Sequence, residues 1–325
     1  MLAVYNQVIS VFPKVEASLG AEPTATLWMF LSGTFYFIML MYTKLVAGAI
    51  NTVQISVYRG VLLFLLFYVV TIINKIPRNI DDRSLYKKLL LRNFLGCLHN
   101  FFQFIAVRYI RVSVLTTINM TGPIVICFLD AVIYKTVYTA KDKLLTVINI
   151  FGVMMVANPK IFTSLFSMAP SQDPAADSNY DSNLEFIMIC VQLVLLCIWG
   201  YSMILIRELK SLNTVIVGLP FGIILAFLSS SFLLYDGNVT EISWSDGINI
   251  IFFVGLAAFL CQIASMRAMQ IQKTGKATIF LNIPVFWGFL FEIIFLKETP
   301  NPISLLGSVI VAVTSVMLTL SKAKK

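Results

Sequence analysis

Apolar residues run along this chain in blocks of about twenty, and short polar stretches rich in basic residues separate the blocks. An α-helix rises 1.5 Å per residue, so about twenty apolar residues cross the roughly 30 Å hydrocarbon core of a bilayer. The pattern predicts spans near 24–43, 53–73, 89–107, 112–133 and 143–158, then near 184–206, 212–234, 247–266, 276–296 and 301–321. Asp130 interrupts the fourth, and the fifth is short. Residues 159–183 carry Pro170, Pro174, Asp173, Asp177 and Asp181 among Ser and Asn, and read as a linker between two halves. The predicted fold is an all-α integral membrane protein with ten transmembrane helices arranged as two inverted five-helix repeats. Its parts are an N-terminal arm (1–23), a first repeat (24–158), the linker (159–183), a second repeat (184–321) and a basic tail (322–325).

Composition agrees with this pattern. Of 325 residues, 58% are hydrophobic and 12% charged, half the charged share of an ordinary soluble domain. The net charge of +8 is no nucleic-acid footprint, because the basic residues lie in loops between apolar blocks. With an inward N-terminus, 18 of the 24 Lys and Arg fall on one side and six on the other. Basic residues collect on the cytosolic side, so both termini are expected in the cytosol, in the plasma membrane or an endomembrane. Residues 1–22 contain Pro13, Lys14, Glu16 and Glu22 and lack the apolar core of a cleavable signal. Asn238-Val239-Thr240 is a glycosylation sequon that this topology places in a non-cytosolic loop. Asn119-Met120-Thr121 has the same form but lies inside a span. The five cysteines all fall in apolar stretches, are odd in number and lack metal-ligand spacing, so a disulfide framework is not expected.

The halves echo each other. Thr52-Val53 precedes Gly60 as Thr214-Val215 precedes Gly222, and Gly96, Gln103 and Arg108 repeat as Gly255, Gln262 and Arg267 with the same steps. Pro123 and Pro284 follow in each half. Ordered coincidences of this kind point to duplication. An odd number of spans per half turns the second copy upside down, the arrangement of many secondary transporters, whose substrate sites lie near the midplane between repeats.

Charged or polar groups inside a span mark candidate chemistry, because burial in lipid costs them about 2.5–3.5 kcal/mol on insertion scales. Arg59 sits some 9 Å into its span. It either holds an anionic group of a substrate or forms an interhelical pair; its repeat-related position is Phe221. Arg92, Gly96, His99 and Gln103 share one helical stripe. The stripe reads as cavity lining or as polar glue between helices. His99 is the chain's one histidine, a candidate for proton coupling or a plain packing residue.

Thr116, Asn119, Pro123, Cys127 and Asp130 form a second stripe, and Asp130 is expected to face Arg92 as a gate or a structural ion pair. Glu292 is expected level with Arg59 on the outer side. Gln262 and Asn282 are the second-half amides that answer Gln103 and Asn119; they bind a neutral polar solute or knit helices. No catalytic residue, metal site or cofactor is expected, and no P-loop for ATP is present. The expected partners are the bilayer and a small organic solute, with no nucleic acid, and a homodimer is compatible with this class.

Several stretches resemble the EamA-like transporter family of the drug/metabolite transporter superfamily. They are Pro284-Val285, Leu296-Lys297-Glu298 and Gly307 in the last two spans, with Leu91-Arg92, Gly96, Tyr109, Gly122-Pro123, Gly152-Val153 and Pro159 in the first half. Trp199-Gly200 resembles the start of a repeat. Val137 stands where the first half should match Glu298, so that turn departs from the family pattern. No stretch matches the asparagine- and lysine-bearing signatures of nucleotide-sugar transporters. The resemblance implies ten helices and exchange or uptake of a metabolite through a central cavity. Two other classes stay open: a membrane scaffold without transport, and a membrane-embedded lipid-modifying enzyme, for which Asp81-Asp82 is the one tight acidic pair.

Overall fold

The computed structural model describes residues 20–80, 82–110, 112–135, 139–157, 182–271, 283–291, 293–294 and 302–323. Among these residues every regular element is a helix. The first half holds α1 (Ala21–Val46), α2 (Thr52–Ile73), α3 (Arg83–Tyr109), α4 (Val112–Met120), α5 (Gly122–Ile133) and α6 (Ala140–Ala157). The second holds α7 (Ser182–Glu208), α8 (Thr214–Asp236), α9 (Trp244–Asn249), a π-helical turn (Ile250–Leu256), α10 (Ala257–Ile271), α11 (Ile283–Phe291) and α12 (Pro302–Ala323). Among the described residues six stretches are long and apolar enough to cross a membrane: Pro23–Val46, Thr52–Ile73, Val114–Ile133, Leu184–Glu208, Thr214–Asp236 and Trp244–Ile271. The chain is a multi-pass membrane protein.

Local chemistry sets the helix starts. Asn51 accepts a hydrogen bond from the Val53 N–H at 3.0 Å, and Asn213 does the same for Val215 at 2.9 Å. An N-cap of this kind satisfies a donor that the first helical turn leaves open. Asp82 caps α3 through Ser84 N at 2.7 Å. At its far end α8 stops on Gly237, whose φ of 67° suits glycine, with the Gly237 N–H on Leu233 O at 2.9 Å.

The outer faces belong to lipid. On α2, Val61, Leu65, Val69 and Ile72 are exposed while Gly60, Leu63, Phe67 and Val70 are buried, so one stripe meets the surroundings and the opposite one meets protein. Acyl chains are as apolar as these side chains, so helices associate through close packing and interhelical hydrogen bonds. The four most extensive helix contacts pair α2 with α8, α6 with α12, α1 with α10, and α3 with α7. Glycines open two of these contacts. A Cβ on Gly60 would lie 2.5 Å from Ala226 N, and one on Gly152 would lie 2.9 Å from Gly307 O. Buried polar side chains bridge the same pairs. Ser56 and Ser229 are 2.8 Å apart across α2 and α8, and Asn149 Nδ2 donates to Thr314 Oγ1 (2.8 Å) and Val311 O (3.1 Å) across α6 and α12.

The stretch expected as one span over 112–133 is two helices that meet at Thr121. Pro123 has no N–H for the Asn119 carbonyl four residues back, so the hydrogen-bond ladder is interrupted there, although Val114–Ile133 still makes one apolar stretch long enough to cross a membrane. Gly122 lets the Trp199 ring approach the break, since a Cβ there would meet the ring at 2.8 Å.

Candidate functional site

One turn before this break, Thr116 and Asn119 of α4 face a cavity inside the bundle, walled by α1, α2, α3, α4, α7, α10 and α11. Its volume open to the centre of a water molecule is about 90 Å³, room for several waters or a small solute. Residues from both halves line it.

Arg59 contributes the positive charge. Its side chain is 2% exposed, Nη2 donates to Asn100 Oδ1 at 3.0 Å, and the guanidinium lies 5.0 Å from the Phe104 ring centroid. Asn100 is oriented for this task, because its Nδ2 donates to Gly96 O at 2.8 Å and so turns Oδ1 toward Arg59. Among the described residues Arg59 Nε and Nη1 have no hydrogen-bond partner.

A neutral polar cluster forms another wall. The Tyr36 hydroxyl accepts hydrogen bonds from Gln103 Nε2 and, at 2.9 Å, from Asn119 Nδ2. The hydroxyl's own proton is left to point elsewhere, and Asn119 Oδ1 has no partner among the described residues. His99 completes the rim. Both its ring nitrogens lack partners among the described residues, and its ring lies 5.9 Å from that of Trp199. Leu196 and Met203 supply apolar wall beside Trp199. On α10, just past the π-helical turn, Ser32 Oγ ties α1 to Cys261 O at 3.0 Å, and Gln262 and Ser265 face the same space. Turns of π-helix inside α-helices often accompany functional sites.

Of the residues singled out from sequence, Arg59, His99, Gln103, Asn119 and Gln262 share this cavity. Arg92 and Asp130 do not line it. Arg92 is 1% exposed, donates to Asn93 Oδ1 at 2.7 Å and lies over the Phe221 ring at 5.6 Å. The expected Arg92–Asp130 pair is not formed. Asp130 pairs with Arg207 at 2.9 Å, because α5 packs on α7 and its last turn comes level with the end of α7. Beside it Lys88 and Glu208 pair at 2.7 Å, and Tyr134 donates to the same Glu208. Glu208 pushes the Lys88 ammonium above its ordinary range, through the hydrogen bond first and the carboxylate charge second. Asn238 lies in the exposed loop after α8, where its backbone carbonyl accepts from Asn51 Nδ2 at 2.9 Å. Asn282 and Glu292 lie outside the described residues. Among the described residues no three His, Cys, Asp or Glu side chains gather as metal ligands.

Sequence reasoning missed Tyr36 and Asn100. Asn100 sits one position off the Arg92–His99–Gln103 stripe, about 100° around the helix. Tyr36 is one aromatic among the 13% of residues that are Phe, Trp or Tyr, and its polar neighbours at helical spacing, Ser32 and Thr43, are small hydroxyl residues that hardly interrupt the apolar run.

The fold and cavity define a polytopic helical membrane protein with a polar chamber lined from both halves of the chain. Residues 23–158 match the EamA-like transporter family. Over 306 residues it is 22% identical to solute carrier family 35 member G1 of Homo sapiens, covering 94% of this chain and 81% of that protein. The Mus musculus protein of the same name is 24% identical over 312 residues, covering 95% and 82%. A solved structure titled only as the crystal structure of a protein superposes with a TM-score of 0.64 at 11% identity, over 93% of this chain and 99% of that one, which shows a shared fold.

Proposed function

We propose that this protein is a secondary transporter of a small organic solute, working by alternating access between two inverted five-helix repeats, with ten crossings and both termini in the cytosol. The observation that carries the reading is the central cavity, which draws polar groups from both halves and leaves several of them without partners among the described residues. Buried polar groups are ordinarily satisfied, so unsatisfied ones facing a chamber are positioned for a ligand.

The helix pairing supports the inverted repeat. Exchanging the halves turns α1–α10 into α7–α3, and both pairs pack. The same exchange maps α2–α8 and α6–α12 onto themselves, and each of these self-paired contacts is a glycine crossing. Asn51 and Asn213 are equivalent N-caps in this scheme. Two such halves can trade conformations, so the chamber opens to either side at similar energy. The relatives' names as solute carriers fit the reading.

The test is reconstitution. Purified protein in liposomes should catalyse counterflow of a labelled solute that is recovered chemically unchanged. A purified, folded protein that moves none of a broad metabolite panel, yet binds other membrane proteins, would favour a scaffold. Recovery of a converted product would favour an enzyme.

A further inference from the structure

We infer that the chamber is built for an organic carboxylate, with the carboxylate on Arg59 and an apolar body against Trp199. This rests on the reading of the chamber as the transport site and names what it takes.

The argument starts from charge. A guanidinium removed from water is costly unless an anion or a full set of acceptors meets it. Arg59 is 2% exposed, yet its one acceptor is the neutral Asn100 Oδ1, with Phe104 behind it. Nε and Nη1 remain without acceptors among the described residues, and no described residue lining the chamber is a carboxylate. The protein thus holds in place a positive charge that a ligand can complete.

The rest of the chamber limits what that ligand is. Arg59 is the one described Lys or Arg in the lining, so a monoanion balances the site and a phosphate dianion would not. Trp199, Leu196 and Met203 suit an apolar or aromatic body. The partnerless Asn119 Oδ1 and the free Tyr36 proton offer one acceptor and one donor for a polar substituent.

Paired probes test this on the purified full chain: benzoate against benzamide, and propionate against propionamide, with methyl phosphate as a third anion. Binding is read as a concentration-dependent rise in Tm. The carboxylates should raise Tm and the amides should not. Arg59→Gln should weaken the response about tenfold or more, the factor expected for losing a hydrogen bond to a charged group. Arg59→Lys should keep part of it. Asn100→Asp covers the case in which Arg59→Gln does not fold. It sets a carboxylate beside the guanidinium, so it should raise Tm without ligand and abolish the response to benzoate. Equal responses to acid and amide, no response to either carboxylate, a preference for methyl phosphate, or an undiminished benzoate response in Arg59→Gln or Asn100→Asp would each overturn the inference. Counterflow of labelled benzoate separates the two readings. Binding without counterflow sinks transport and leaves the carboxylate site standing, whereas counterflow of amide and acid alike does the reverse.

Discussion

Gly60 and Gly222 face each other where α2 crosses α8: a Cβ on Gly222 would sit 2.8 Å from Gly60 O, and one on Gly60 would sit 2.5 Å from Ala226 N on the partner helix. The contact is backbone on backbone, so no flexible side chain can yield to an added group. Gly222→Val should therefore push the helices apart and lower stability by about 1–3 kcal/mol, the range for overpacking a tight core. Gly48→Ala is the control, since its new methyl would meet open space. Thermal unfolding in detergent measures both, and a Gly222→Val protein as stable as the control would show that the crossing is loose.

The second glycine crossing is reinforced by a polar clamp. Gly152 and Gly307 approach so closely that a Cβ on Gly307 would be 2.7 Å from Gly152 O, and one turn away Asn149 holds Thr314 Oγ1 and Val311 O. Interhelical hydrogen bonds in membranes are worth about 0.6 kcal/mol on average and at most about 1.7. Asn149→Leu should thus cost less than Gly307→Val. A reversed order of Tm losses would mean that hydrogen bonding, and not close approach, holds this pair.

Tyr36 joins three helices through one oxygen. Its hydroxyl accepts from Gln103 Nε2 on α3 and Asn119 Nδ2 on α4. Tyr36→Phe removes that oxygen and strands two amide donors, each costing about 1–3 kcal/mol if left unpaired in a buried site. Asn119→Leu alone strands none of the donors but its own loss, so the double variant should be less destabilised than the sum of the singles. Additive losses would show that Tyr36 and Asn119 act independently.

The polar residues were legible in the sequence wherever they broke an apolar run at helical spacing. Arg59, His99, Gln103, Asn119 and Gln262 stand out in this way, and the cavity gathers them. Helix partners were not legible. Arg92 and Asp130 were matched by depth alone, but depth says nothing of rotation about the helix axis, and Arg207 at the end of α7 takes Asp130 instead. The break at Thr121 was announced by Gly122-Pro123 yet hidden by the continuous apolar pattern on either side. The third helix shows the opposite masking. Arg83–Tyr109 is 27 residues long, but His99, Asn100 and Gln103, which wall the chamber, and Arg92 and Asn93, which sit buried against α8, make it more polar than an ordinary span.

Two polar clusters lie at opposite ends of the helices that wall the proposed chamber, and they should act as opposing latches. At the cytosolic end of the proposed topology, Asp130–Arg207 and Lys88–Glu208 tie α3, α5 and α7 together. At the other end Gln54 grips the loop after α8, with Nε2 donating to Thr240 O and Oε1 accepting from Thr240 N, both at 2.9 Å. The cytosolic pairs are partly exposed, with the Lys88 and Glu208 side chains 41% and 29% accessible, so water screens them and they contribute little to overall stability. A small bias between two states of similar energy is nevertheless enough to shift their populations. Cys261 lines the chamber and reports on access to it. In a protein that keeps Cys261 as its only cysteine, Asp130→Asn or Glu208→Gln should raise labelling by a membrane-impermeant maleimide from the cytosolic face. Gln54→Leu should raise labelling from the opposite face. Labelling that is unchanged, or that rises on the same face for both kinds of variant, would mean that these contacts hold helices together without setting which way the chamber opens.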